Sequence, residues 1–466
     1  MDVPPFGGFT YSYVRLAAMD LATVVSKESL VEPQGRYLAD LMGRGVEGTA
    51  DAVVLPSTAE EVAAVMRWCY EEGVPLTARG GGTGLAGGAI PVAGGVVLGF
   101  ERLNRVRQFD PLLWRMYAEA GVTTGDIQRL ARESGLRFPP DPGAAEISQL
   151  GGNIACNAGG PHAFKYGVTG HWVTGIEAVV PPGEVIRVGG PIRKDVAGYD
   201  LKNLLVGSEG TLGLVTAAWL RLIPAPELEL PVIAFYSSAD AGIDAIERIL
   251  GSGVVPAAIE YMDGVTLSYS GDAYPFGVPD GASFMVITEA DGAVDETRRV
   301  AAELRDALEE DALAVHAPEE PSDVSELWRW RGGVAFAILA QRGGAFSEDI
   351  AVPLDKLRDV ASETLRIGEA HGVPALSFGH AGDGNIHSTF LFSPDDPDEE
   401  RRADAACHEL FQLALRLGGT VSGEHGIGWL KRGQIEHQLG PVGYDLHNRI
   451  KQAFDPKGLL NPGKKR

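Results

Sequence analysis

The chain has 466 residues, 45% of them apolar, with 40 Lys and Arg against 63 Asp and Glu for a formal charge of −23. That apolar content suffices for two or three domains with real cores, while so acidic a surface excludes nucleic acid and anionic lipid as direct partners. The three cysteines, Cys69, Cys156 and Cys407, form no CxxC, which excludes thiolate iron–sulfur and zinc sites and points to a reducing cytoplasm; no apolar run reaches the ~18 residues of a membrane span.

The first residues lack the basic head and apolar stretch of a signal peptide, and Met19 is an alternative start, with residues 1–18 then a loosely held extension. Further on, Ser57 and Thr58, followed by Glu60, Glu61 and apolar residues at helical spacing, predict a capped helix belonging to a βαβ unit. A strand over Val74–Ala78 leads into Arg79–Gly88, which holds six glycines in ten residues. Such a backbone can come close to an anion and turn successive N–H groups toward it; Arg79, Gly80, Gly81, Gly82, Thr83, Gly84 and Gly87 are the candidate binding residues. Residues 82–87 read GxGxxG, but Pro91 and a strand at 96–98 follow instead of a helix, and no Gly-Lys-Ser/Thr is present. This excludes the Rossmann and Walker A readings in favour of a phosphate cradle between strands.

A strand over Trp114–Gly121 and a helix over Thr124–Ser134 come next. A second stretch, Pro139–Gly160, is rich in proline and glycine, and a third runs Leu204–Val215. Three such stretches across roughly 135 residues suggest one long ligand touched at several places, for which a dinucleotide is the natural size. From Pro224 glycine thins. Strands at 232–236, 257–262 and 283–289 alternate with amphipathic helices at 240–250 and 294–308, predicting a separate α+β domain that begins at 224–230.

Two segments concentrate polar chemistry among glycines: His380-Ala381-Gly382-Asp383-Gly384-Asn385-Ile386-His387, and Gly423-Glu424-His425-Gly426. Two strands joined by the 381–386 turn would bring His380 and His387 together, and Glu424 would complete a two-histidine, one-carboxylate set suited to Zn²⁺, Mn²⁺ or Fe²⁺. The competing account has turn histidines donating to backbone carbonyls; the second segment favours the site. Glycines on both sides would let Glu424 and His425 face one cavity, the first as ligand and the second as proton acceptor.

Together with Gly207–Gly213 and the ending Phe454–Lys464, these motifs resemble the FAD-dependent D-2-hydroxyacid dehydrogenases, which include D-lactate dehydrogenases, D-2-hydroxyglutarate dehydrogenases and the catalytic subunit of bacterial glycolate oxidase. The resemblance spans roughly residues 35–466. It implies an α+β chain: an extension and first helix over 1–34, a two-subdomain FAD-binding domain of the vanillyl-alcohol oxidase type over 35–226, an α+β cap with an antiparallel sheet over 227–440, and a tail over 441–466 returning to the FAD domain. FAD would be held by the 79–87 residues named above, by Pro140, Asp141, Pro142, Ser148, Gly151, Gly152, Asn153 and Gly159, and by Glu209, Gly210, Gly213, Val215 and Asn461. The first loop has no histidine for a covalent flavin link, so FAD is expected to be noncovalent.

The resemblance further assigns His380, His387 and Glu424 to a divalent metal, with zinc first and manganese or iron as alternatives. It makes His425 the base and Arg331 the grip on the substrate carboxylate. Ala335 and Ser347 stand where enzymes acting on 2-hydroxyglutarate carry a threonine and a lysine, which disfavours dicarboxylates; a shifted alignment would put Arg342 in the lysine's role. The implied reaction is oxidation of D-lactate or glycolate to the 2-oxo acid with hydride transfer to flavin N5. Oxygen, a quinone, a cytochrome or a partner iron–sulfur subunit are all compatible acceptors. The protein is expected in the cytoplasm, membrane-peripheral only through such a partner, with a homodimer allowed. The rivals are a non-catalytic FAD-binding subunit of a glycolate oxidase complex and a non-redox enzyme of the alkyl-glycerone-phosphate synthase type.

Overall fold

The structure, a computed structural model, describes residues 21–41 and 46–465, so the expected extension over 1–18 lies outside the described residues. The first sheet has the spatial order Leu30–Val31, Ala52–Val54, Val96–Gly99, Leu76–Arg79, and its last three strands are parallel. Helix Ala59–Glu72 connects two of them. Its cap is reciprocal: Thr58 Oγ1 accepts from Glu61 N at 3.1 Å, and Glu61 accepts from Ser57 N at 2.7 Å, an arrangement whose loss costs about 1 kcal/mol. The loop after Arg79 reaches the neighbouring parallel strand without any helix, as its composition predicts.

The second sheet is antiparallel, in the order Val106–Asp110, Arg115–Glu119, Leu214–Arg221, Val173–Val180, Glu184–Gly189. Helices Thr124–Glu133 and Leu150–Cys156 pack on it through Ile127 and Ile154. The second of these helices was not foreseen in the reading of 139–160 as a glycine-rich stretch. Paired glycines argue against a helix, yet a Cβ on Gly151 would stand 2.7 Å from Ala120 Cβ. Close packing against the strand end selects glycine here.

The cap sheet has seven antiparallel strands, in the order Ala314–His316, Leu228–Tyr236, Phe284–Gly292, Ala258–Asp263, Ala375–His380, Asn385–Phe392, Gly344–Ala351. One face packs on helices Ala239–Ser252, Val294–Glu309, Leu357–His371 and Pro397–Arg416, the other on Gly264–Ser270 and Pro321–Arg342. After helix Ile435–Phe454 the chain returns to the first sheet: Leu76 N donates to Leu459 O at 2.9 Å and Asn461 N to Leu76 O at 2.8 Å. No described helix is long and apolar enough to cross a membrane.

Candidate functional site

The three glycine-rich stretches touch one another. A Cβ on Gly81 would stand 2.1 Å from the Ile147 carbonyl oxygen, and one on Gly80 3.3 Å from Gly152 Cα. Gly82, Gly87, Gly210 and Glu209 all take positive φ, at 71°, 75°, 68° and 53°. Asn461 donates from Nδ2 to the carbonyls of Gly88 and Glu209, both at 2.8 Å, so the tail fastens the first stretch to the third. Ser148 and Asn153 turn inward: Asn153 Nδ2 donates to Thr124 Oγ1 at 2.5 Å, and Thr124 and Ser148 share a 2.8 Å bond.

The remaining candidates are dispersed along the same surfaces. Pro140 accepts from Gln128 Nε2 at 2.8 Å, Asp141 meets His162 Nδ1 at 2.5 Å, and Pro142 follows it in the same loop. Gly213 fits between Val180 and Leu205, where a Cβ would lie 3.0 and 3.1 Å away, and Val215 is buried in the next strand. Thr83 and Gly84 stay partly exposed in the first loop. Arg79 folds back across Gly82 and donates from Nη1 to Ala39 O at 2.6 Å, bracing its own loop. Gln149 Oε1, beside Gly80, is buried without a partner. Half-buried backbone stripped of side chains, with an unmet acceptor alongside, fits the polar edge of a bound dinucleotide.

The histidine segments sit on the cap sheet. His380 is in register with Glu260 on one neighbouring strand and Asn385 on the other; His387 is in register with Phe378 and Asp349. Since side chains alternate, Glu260, His380, His387 and Asp349 share one face and are direct or diagonal neighbours across four strands. Glu424 arrives from the 421–428 loop. Its Oε1 lies 3.3 Å from His380 Nε2 and 3.4 Å from His387 Nε2, and one donor atom from each of the three residues falls within 4.8 Å of the others. Gly159 backs Glu424, where a Cβ would come within 2.8 Å of Oε2. His425 stacks on His387 with ring centroids 5.3 Å apart.

Arg331 reaches this face from helix Pro321–Arg342. It is buried, its guanidinium lies over Phe378, and its Nε donates to Glu260 Oε2 at 2.8 Å. Glu260 also bonds His380 Nδ1, so one buried acid holds both the arginine and the histidine. Sequence reading missed Glu260, Asp349 and Lys431. The first two signal themselves only as acids within buried strands, Ala258–Asp263 and Gly344–Ala351. Ser347 is bonded by Thr389, Ala335 is exposed, and Arg342 is committed to Glu399 at 2.7 Å.

The protonation states follow the packing. Burial alone would raise the Glu424 carboxyl, but His380, by its charge and its hydrogen bond, and then the neighbouring imidazoles of His387 and His425 hold it down at about 2. Burial pushes His387 down to about 3. His380 is driven well above the usual imidazole value, because Glu260 and Glu424 outweigh the burial that opposes its charge. Four carboxylates, from Glu260, Glu348, Asp349 and Glu424, face the two cations Arg331 and Lys431. With His380 protonated the residual charge is about −1; a divalent cation that replaces that proton meets a residual charge of about −2, and the imidazole–carboxylate donor set fits it.

The whole arrangement has the fold of FAD-binding proteins of the vanillyl-alcohol oxidase type. The fold superposes on p-cresol methylhydroxylase with a TM-score of 0.80 at 20% identity, covering 98% of each chain. Residues 50–189 match the FAD binding domain family, and residues 225–465 match the family of FAD linked oxidases, C-terminal domain. The chain belongs to this FAD-linked oxidase family and is an FAD-dependent oxidoreductase. It is 37% identical to a glycolate oxidase subunit of Bacillus subtilis, over 89% of this chain and 88% of that one. It is 33% identical to a D-lactate dehydrogenase of Anaerostipes hadrus, over 89% of both.

Proposed function

We propose that the protein oxidises a small D-2-hydroxy acid, D-lactate or the achiral glycolate, to the 2-oxo acid. The observation that carries this reading is the convergence of His380, His387, Glu424, His425 and Arg331 on one end of the cap sheet, with Gly159 of the flavin-binding part directly behind Glu424. Relatives named glycolate oxidase subunit and D-lactate dehydrogenase support the substrate class.

FAD supplies the hydride acceptor when bound, and the glycine stretches with Asn461 would hold it. A divalent cation, zinc first, would supply positive charge beside the substrate oxygens, with His380, His387 and Glu424 as its holders. Arg331 binds the substrate carboxylate and orients the acid. His425 takes the hydroxyl proton. Glu260 fixes Arg331 and His380 relative to each other. None of the three described candidates offers free charge to a second carboxylate: Ala335 has none, Ser347 is neutral, and Arg342 is held by Glu399.

FAD is bound noncovalently, so acid precipitation releases all the yellow colour to the supernatant; colour in the pellet would contradict this. Electrons then leave to an accepting partner, such as an iron–sulfur subunit. The test of the main reading is anaerobic titration of the purified flavoprotein. D-lactate or glycolate should bleach the flavin band at stoichiometric amounts. Flavin that no hydroxy acid bleaches would overturn the reading in favour of a non-catalytic subunit or a non-redox enzyme of the alkyl-glycerone-phosphate synthase type.

A further inference from the structure

We propose that Asp349, held by Lys431, is the positioning residue for His425: it keeps the ring proton on Nδ1 and leaves Nε2, the nitrogen on the Glu424 side, as the free acceptor. The proposal rests on the reading of His425 as the base. Asp349 is fully buried on the edge strand of the cap sheet, in register with His387. Its two oxygens serve the turn that carries His425. Oδ2 accepts from Glu424 N at 2.7 Å, His425 N at 2.8 Å and Ser422 Oγ at 3.1 Å. Oδ1 lies 3.3 Å from His425 Nδ1 and accepts from Lys431 Nζ.

Lys431 is itself buried. It lies 3.2 Å from Glu348 and donates to Val421 O at 3.0 Å, which anchors the start of the same turn. A carboxylate only accepts, so a hydrogen on Nδ1, the ring nitrogen nearer Asp349, is the one this acceptor favours. The other nitrogen, Nε2, is 3.9 Å from Glu424 Oε1, on the side of the donor cluster. When the substrate hydroxyl proton moves to Nε2 as the Cα hydride leaves for FAD, the ring becomes cationic, and Asp349 faces that charge. An acid buried without a cation would resist ionisation; Lys431 supplies the compensating charge.

Two readouts test this on the holoenzyme. In protein labelled with ¹⁵N-histidine, ring correlation spectra report which nitrogen bears the hydrogen, and His425→Gln identifies the signal. The expected wild-type form is Nδ1–H, and Asp349→Asn, which can present its amide N–H to the ring, should shift it toward Nε2–H. An Nε2–H form in the wild type overturns the proposal. In turnover, Asp349→Asn should lower kcat on the order of 10²–10⁴-fold, with KM, FAD content and metal content unchanged. A kcat within threefold of wild type overturns it, as does a loss confined to KM or to FAD content, which is what a merely structural role would give. If Asp349→Asn does not fold, the Lys431 pair decides: Lys431→Met should repeat the kcat loss and Lys431→Arg should restore most of it, and equal kcat in the two overturns the proposal. A wild-type flavin that no hydroxy acid reduces overturns the functional reading alone; the tautomer still decides this one.

Discussion

Along the flavin-binding stretches the chain removes side chains; along the end of the cap sheet it accumulates them. Gly81 lets two backbone segments approach to a distance no Cβ would allow, with Gly80 and Gly152 facing each other beside it. Beyond Gly159, which backs the half-buried Glu424, the acids Glu260 and Asp349 are buried beside three imidazoles, an arginine and a lysine. The first region would present peptide N–H groups to a ligand that brings its own reactivity. The second presents ionisable groups whose charges must balance in a dry place, so each needs a partner. The lesson is a division of labour: binding by bare backbone on one side, proton and charge handling by paired side chains on the other.

Damage to the histidine side should therefore stop turnover while leaving the flavin in place. His380→Ala or His387→Ala is expected to lower kcat on the order of 10³-fold or more, the scale of several kcal/mol of charge stabilisation. FAD content should stay at the wild-type level, because neither side chain bonds to the stretches at 79–88, 147–160 or 204–215. Chelation should mimic both variants. Full activity after exhaustive chelation, with metal analysis showing none, would remove the cation from the scheme and blunt the contrast between the two regions.

The reverse experiment is Gly81→Ala. Its Cβ would have to displace the Ile147 carbonyl, only 2.1 Å away, at a cost of about 1–3 kcal/mol. The expected result is FAD binding weakened roughly 5- to 100-fold, read as flavin absorbance per protein after dialysis, with turnover per bound flavin little changed. Retention of full flavin would show that the approach of the two loops does not shape the binding surface.

The two regions were also unequally legible. Glycine clusters are local signals, and the loop at 79–88 declares its conformational freedom within ten residues; likewise His380 and His387 lie on one hairpin. Glu260 and Asp349 are 120 and 38 residues from the histidines they face. Only strand order and register make them neighbours, and nothing local in Ala-Ile-Glu-Tyr-Met-Asp distinguishes a site acid from an edge residue. Helix Leu150–Cys156 escaped notice for the opposite reason, since tertiary packing against Ala120 overrode its low propensity.

A smaller effect should follow from Arg331→Lys. The ammonium keeps a charge near Glu260 but loses the planar two-point grip, so kcat/KM should fall about 10- to 100-fold. Wild-type kcat/KM should be higher for D-lactate or glycolate than for D-2-hydroxyglutarate or malate, measured side by side. A clear preference for either dicarboxylate would show that some cation other than Arg342 serves a second carboxylate.

The smallest expected effect concerns the seam joining the two regions. His162, just past the second glycine stretch, is buried between Asp141 of that stretch and Glu289 of the cap sheet, at 2.5 and 2.8 Å, and Trp328 Nε1 donates to the other oxygen of Glu289. Burial alone would lower its pKa, but the charge and hydrogen bond of Asp141, then those of Glu289, raise it to about 10 from an ordinary 6.5. A raised folded-state value means the folded protein binds the proton more tightly than the unfolded chain. Below pH ~6.5 both states are protonated and the stabilisation is fully present. As pH climbs from there toward 10 the unfolded histidine is neutral, and holding the proton in the folded state contributes progressively less. The Tm difference between wild type and His162→Gln should therefore be largest near pH 6, on the order of a few °C, and shrink steadily toward pH 10. Comparing the two proteins at each pH cancels the titration of groups they share. A difference that stays constant across that range would mean His162 supports the seam by packing against Trp328, 5.2 Å away between ring centroids, and not by its charge.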